Sequence, residues 1–466
     1  MYRKNAWELN QEQLAECDAF CASYMRFLDK GKTERECTDE AIRLSEALGF
    51  RNLDQLIAEN GKLHAGDKVY RAHMGKSFMA FVIGTEPMES GLAILGAHID
   101  SPRIDVKQNP VYEEENFAYF DTHYYGGIKK YQWLTLPLAI HGVFAKKDGT
   151  VLKVAIGENE NDPVFCISDL LPHLAQEQMA KTAAKLVEGE ALNLLIGSRP
   201  SEKTEDGKEE KESVKKAVLA ILNKEYGIEE EDFVSAELEI VPAGRCREMG
   251  FDRSMILGYG HDDRVCAYPS LMAVLEYEGV PQHTLCAILT DKEEIGSVGA
   301  TGMGSRYFVN TVSELINCTS DYSELKVKRA MQNSLMLSSD VSAAYDPGFG
   351  SVFEKKNAAF LGMGVCFNKY TGRGGKSGAS DANAEFVAKV RRIMDDNQVA
   401  YHTSEIGRVD VGGGGTIAYL CAQYSMNVLD CGVPVLSMHA PHEVVSKVDV
   451  YQAYRCYRAF LKDAFC

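Results

Sequence analysis

The residues able to do chemistry in this chain stand just after apolar runs. His98-Ile99-Asp100 follows LAILGA, Asp262-Asp263 follows MILGYGH, and Glu293-Glu294 follows TLCAILTDK. Asp340 follows LMLSS, and His439 follows VPVLSM. Apolar runs of that length read as buried strands, and open α/β sheets collect their ligands at the carboxyl ends of strands. Two imidazoles and a carboxylate from each of three further strand ends, with no thiolate among them, form a hard nitrogen and oxygen donor set. Such a set suits a pair of divalent ions (zinc, with cobalt or manganese as alternatives) in a hydrolase better than a structural zinc.

Each piece also has an ordinary reading. His98 and Asp100 lie two apart, so on a strand they share a face, and Asp100 is placed to orient the imidazole of a metal-ligating His98. Alone, the pair is equally a strand-end His and a turn Asp before Pro102. Glu293-Glu294 is ordinary loop chemistry unless its roles split, one carboxylate on a metal and its neighbour taking a proton from an activated water. Asp262-Asp263-Arg264 reads either as a charged helix start or as a carboxylate whose two oxygens bridge two cations. A charged Asp340 at the end of an apolar strand is costly unless paired or metal-bound. His442 is a weaker candidate than His439. Their convergence makes the metal reading stronger than any piece.

Two glycine-rich segments do not carry nucleotide chemistry. Gly374-Gly375-Lys376-Ser377 lacks the leading glycine of a phosphate loop, having Tyr370 there, and the run Val411–Thr416 lacks both the Lys and the dinucleotide spacing. Fifty Lys and Arg against 67 Asp and Glu give a net charge of −17, which disfavours nucleic acid and anionic membranes as partners. The first twenty residues lack the apolar core of a secretory signal, and the longest mostly apolar stretch, 133–145, is broken by Pro137 and His141 and is too short to span a bilayer. Thirteen scattered cysteines without a Cys-x-x-Cys pair fit reduced thiols in a cytoplasm, not a disulfide framework.

The elements positioning these residues are legible in outline. Thr33-Glu34-Arg35-Glu36 is a capping-box pattern opening an N-terminal helix. VYRAH, SFMAFVIG and GLAILGAHID read as buried strands. From about 104 to 243 the texture changes, with an aromatic stretch, the strands VLKVAIG and ELEIVPA, a charge run at 201–213 expected to be a solvated loop, and the amphipathic helix VKKAVLAILNKEYG. From Met255 strands and helices alternate, with strands at TLCAILT, SLMLSS and VPVLSM and helices at VCAYPSLMAVLEYEG and SDANAEFVAKVRRIMDD. The expectation is an α/β domain, residues 1–103 and 251–466, with a mixed sheet flanked by helices and interrupted by an inserted domain at 104–250.

GAHIDSPR, DKEEIGSVGATG, SSDVSAAYDP and SMHAPHE occur in that order, with HDDRVCAY between the first two. On these blocks nearly the whole chain resembles the aspartyl aminopeptidase family of zinc exopeptidases, which includes yeast vacuolar aminopeptidase I. The resemblance implies a two-zinc catalytic domain, a β-rich dimerisation insert and a tetrahedral homododecamer with inward-facing sites. Residue by residue, it implies that His98, Glu294, Asp340 and His439 are metal ligands, that Asp262 bridges the ions, that Glu293 is the general base and that Asp100 supports His98. It also implies that His173, in SDLLPHLA, reaches a neighbouring subunit's site and that Lys369-Tyr370 flanks the substrate side chain. One departure stands out. Gly378 occupies the place where members preferring Asp or Glu have a Tyr, so the N-terminal residue preference stays open.

The function expected is a cytoplasmic metallo-aminopeptidase acting on peptides, with Glu293 deprotonating the attacking water. Two other readings use the same residues: a two-metal deacylase or amidase on small N-acyl compounds, and an assembly protein that has lost the chemistry.

Overall fold

The computed structural model describes residues 5–201 and 211–466. Most of the charge run expected at 201–213 lies outside the described residues. The chain divides into two compact units: residues 1–101, 246–438 and 443–466 form one, and residues 102–245 with 439–442 form the other.

The first unit is built on a nine-stranded mixed sheet. Its centre consists of three adjacent parallel strands, Leu285–Thr290, Ala93–His98 and Leu335–Ser339. Every residue of the first two is buried, as expected of parallel strands covered on both faces. Side chains alternate between those faces. Leu95, Ala97, Leu285, Ala287, Leu289 and Leu337 point into one core, packed with Tyr24, Phe27, Leu271, Tyr457 and Phe460 from the helices Gln11–Lys30, His261–Leu275 and Lys447–Asp463. Ile94, Cys286, Ile288 and Met336 point into the other, against Phe308, Val312 and Leu315 of helix Tyr307–Thr319 and Ala330 and Met331 of helix Glu324–Asn333. Side chains such as Leu95 and Phe308, at 0 and 2 % exposure, contribute roughly 1.5–3 kcal/mol each by leaving water.

The expected capping box is present. Thr33 Oγ1 accepts the Glu36 N–H at 3.2 Å, Glu36 Oε2 accepts the Thr33 N–H at 3.1 Å, and helix Glu34–Ala47 follows. The two short strands Met255–Gly258 and Pro434–Leu436 do not join the main sheet. They sit in a separate five-stranded sheet with Arg247–Met249, Glu443–Ser446 and Ser342–Ala343. Nothing local to either strand codes for that choice of partner.

The second unit is β-rich. Six antiparallel strands run in the order Val151–Ile156, Leu138–Ala145, Ala236–Pro242, Arg103–Glu114, Phe117–Tyr125 and Leu194–Gly197. Phe233 packs edge-on against Phe120 and Phe144, and Trp133 is fully buried. The helix Ser213–Tyr226 ends at Gly227, whose φ of +66° closes it in the left-handed region that glycine adopts without strain.

Neither unit contains a disulfide among the described residues. Cys166 and Cys246 are half-buried, Cys466 is exposed, and the other thiols are buried. No helix among the described residues is long and apolar enough to cross a membrane.

Candidate metal centre

The register of the central sheet explains why distant residues meet. Thr290 pairs with His98 and Ser338 with Gly96, so the three parallel strands end at one level. Just past that edge stand His98, Glu293-Glu294 and Asp340. Gly432, on the neighbouring strand Asn427–Gly432, lets the sheet close on this edge: a Cβ there would lie 1.7 Å from the Asp340 carbonyl oxygen. Asp262 and Asp263 enter from the start of helix His261–Leu275, after strand Met255–Gly258.

Ligand atoms of His98, Asp262 and Glu294 lie within 4.8 Å of one another. The same holds for His98, Glu293 and Asp340, and for Asp262, Asp263 and Asp340. His98 Nδ1 is 2.9 Å from the Asp100 carbonyl and 3.3 Å from Asp100 Oδ1. With Nδ1–H donating there, Nε2 is the nitrogen that can give up its proton and offer a lone pair to a metal. Nε2 faces Asp262 Oδ1 at 3.2 Å and Asp340 Oδ1 at 3.9 Å. Asp100 also fixes the glutamates, its two oxygens accepting the Glu293 and Glu294 N–H groups at 3.1 and 3.2 Å.

The electrostatics fit a cation. Burial alone lowers the pKa of the His98 imidazole, yet hydrogen bonds and charge from Asp100, Asp262 and Asp340 push it well above its ordinary value. Burial drives the Asp263 carboxyl well above the usual carboxylate range. His98 Nε2 and Asp263 Oδ1 are sealed from water, and neither meets a hydrogen-bond partner in good geometry. Buried polar atoms rarely stay unsatisfied. A divalent cation among these oxygens and the imidazole accounts for both, and the donor set is one that zinc accepts.

Other elements carry the remaining predicted residues. His439, half-buried with φ +66°, belongs to the second unit, where its Nδ1 is 2.9 Å from the Gly127 carbonyl. Nε2 is then the nitrogen with the lone pair. His173 is exposed on the single turn Pro172–Leu174 of the same unit, beside exposed Leu170, Leu171 and Leu174. Lys369 and Tyr370 follow strand Val365–Asn368 and line a cavity of about 660 Å³ together with Phe367, Arg391, His402 and Glu405. The Lys369 ammonium pairs with Asp381 at 2.5 Å, and the Tyr370 hydroxyl donates to Glu405.

Two contributors had no role of their own assigned from the sequence. Asp263 sits in one of the carboxylate groups and also accepts the His98 backbone N–H at 3.3 Å. The Asp-Asp run advertises two carboxylates without saying which faces the site. Glu443 accepts the Asp262 N–H at 3.0 Å from 181 residues away, a contact with no local signal.

An imidazole ringed by carboxylates at the strand ends of a helix-flanked α/β sheet is a donor set that could hold a divalent metal, the arrangement a metal-dependent hydrolase uses. Comparison with known proteins narrows the class. The family model described as aminopeptidase I zinc metalloprotease (M18) matches residues 27–461. The probable M18 family aminopeptidase 1 of Clostridium acetobutylicum is 56% identical over 99% of this chain and 98% of its own length. The crystal structure of the M18 family aminopeptidase from Thermotoga maritima superposes with a TM-score of 0.93 at 43% identity, covering 99% of this chain and 100% of that one. The S. cerevisiae mApe1 dodecamer shares the fold, with a TM-score of 0.75 at 20% identity over 96% of this chain and 97% of that one.

The chain belongs to the aminopeptidase I zinc metalloprotease family, M18. It is a metallo-aminopeptidase.

Proposed function

We propose that the chain releases N-terminal amino acids from peptides at a centre for two divalent ions, zinc first and cobalt or manganese as substitutes. His98, Glu294, Asp340 and His439 would be the terminal ligands and Asp262 the bridge. When bound, such ions polarise the scissile carbonyl and lower the pKa of a water to near 7. The single observation that carries the reading is the meeting of His98, Asp262, Glu294, Glu293 and Asp340 at one edge of the sheet.

The chain's own residues divide the work. Glu293 would take the proton of the attacking water and return it to the leaving amine, a general acid–base role worth about 10²–10⁴-fold. Its neighbour Glu294 is held by the same Asp100 carboxylate, so the two side chains diverge from one anchored turn toward different partners. Lys369 and Tyr370 would border the substrate's N-terminal side chain, and His173 would serve the site of a neighbouring copy. The yeast relative's dodecamer supports a tetrahedral homododecamer, built on an inserted dimerisation domain at 104–250 between the catalytic segments 1–103 and 251–466. Cytoplasmic residence accords with the reduced thiols.

The test is a panel of aminoacyl anilides with and without chelator. Activity should vanish on chelation and return with zinc, cobalt or manganese, and an N-acetylated peptide should be rejected. Glu293→Gln should keep its metal and lose about 100-fold or more in kcat. Equal turnover of free and blocked substrates would replace the aminopeptidase reading by an amidase. Wild-type turnover in the variant would remove Glu293 from the role.

A further inference from the structure

The segment that delivers Asp262 is clamped through its backbone on both sides. The Glu443 carboxylate, at 1 % exposure, accepts the Asp262 N–H through Oε2 at 3.0 Å. On the other side the Ser101 hydroxyl, at 1 % exposure, donates to the Asp262 carbonyl at 2.5 Å. Glu443 opens the strand Glu443–Ser446 and is held by register against Gly258 of strand Met255–Gly258, four residues before Asp262. Ser101 comes three residues after His98, from the end of the central sheet.

The flanking residues are tied as well. Tyr24 and His261 share a hydrogen bond of 2.6 Å between the hydroxyl and Nδ1, and Asp263 Oδ2 takes the His98 N–H at 3.3 Å. Asp262 has a non-helical φ/ψ of −78° and 108° inside a helical run. The helix's own hydrogen bonds therefore do not set its carboxylate direction, and outside anchors must. A bridging ligand needs this most, because both of its oxygens must be aimed and a few tenths of an ångström are felt at each.

We infer that Glu443 and Ser101 are positioning residues for the metal centre, fixing the Asp262 peptide from its two ends so that its carboxylate is aimed before metal arrives. The inference rests on the reading of Asp262 as the bridge. Toward Asp262, Glu443 supplies an acceptor oxygen for the N–H. Glutamine offers a carbonyl oxygen at the same reach, whereas alanine offers none.

Zinc stoichiometry and affinity, measured by metal analysis against a graded chelator, and the absorption spectrum of the cobalt-loaded protein test this without relying on turnover. Glu443→Ala should bind zinc about 10- to 100-fold more weakly and change the cobalt spectrum. Glu443→Gln should return both readouts toward wild type. Ser101→Ala removes only a hydroxyl and should shift zinc affinity in the same direction by a smaller factor, which keeps the test alive should Glu443→Ala fail to fold. Wild-type affinity and spectrum in both alanine variants would overturn the clamp. A Gln variant as impaired as the Ala variant would also overturn it, since charge rather than the anchored N–H would then matter. Failure of the underlying reading looks different: wild-type protein with no bound zinc, or Asp262→Asn with unchanged zinc affinity.

Discussion

Both oxygens of Asp100 are committed, one to the Glu293 N–H and one to the Glu294 N–H, while His98 Nδ1 lies 3.3 Å from the first. Asp100→Asn replaces one acceptor by an N–H₂ facing a donor, so a buried clash of donors follows. We expect kcat to fall at least about 10-fold and zinc to be held more loosely, checked by steady-state kinetics with parallel metal analysis. Gly432→Ala should be as damaging for a steric reason, since the added methyl meets the Asp340 carbonyl; loss of zinc with the secondary structure intact by circular dichroism is the expected result. His98, Asp340 and the Glu293-Glu294 pair are visible in the sequence because a polar residue closing an apolar run stands out. Ser101 and Glu443 are not, nor is the separate role of Asp263. Their work is done through backbone contacts spanning 161 to 181 residues, and one-dimensional spacing carries no trace of those.

At the level of elements, the helix start at Thr33 is a local device, which is why it could be read directly. Thr33→Ala should cost about 1 kcal/mol, seen as a lower midpoint in chemical denaturation. Strand Asn427–Gly432 carries a less visible device. Asp430 is buried with the Thr416 hydroxyl donating to Oδ1 at 2.5 Å, and burial raises its carboxyl to about 7. Its ordinary value is 3.8. Between those values the folded chain keeps a proton that the unfolded chain has released. Stability therefore falls as pH rises from about 4 to about 7 and loses no more from this group beyond. Asp430→Asn should remove that part of the slope, measured as thermal midpoints at pH 5 and pH 8. The apolar texture of the central strands was plain in the sequence. Which short strands leave the main sheet for the five-stranded one was not, because pairing is a long-range choice among similar segments.

For the whole molecule, the sequence shows a change of texture near residue 104 and alternating strands and helices again from Met255, and the second compact unit of the structure takes in residues 102–245. The subtler finding is that residues 439–442 cluster with the insert, which no composition shift announces. If twelve protomers assemble as the yeast relative does, sedimentation should give one large species that persists on dilution. A monomer or dimer at working concentrations would end the dodecamer reading.

Among the thirteen thiols, the one at the last residue is the exposed one. A maleimide dye added briefly under native conditions should thus mark Cys466 almost alone, without any engineered handle. Two batches carrying donor and acceptor fluorophores could then report subunit exchange in real time. A mild oxidant would be expected to join Cys466 of one chain to Cys466 of another before it reached any sulfur in the interior, so preparations stored without reductant should gain covalent dimers yet keep their activity.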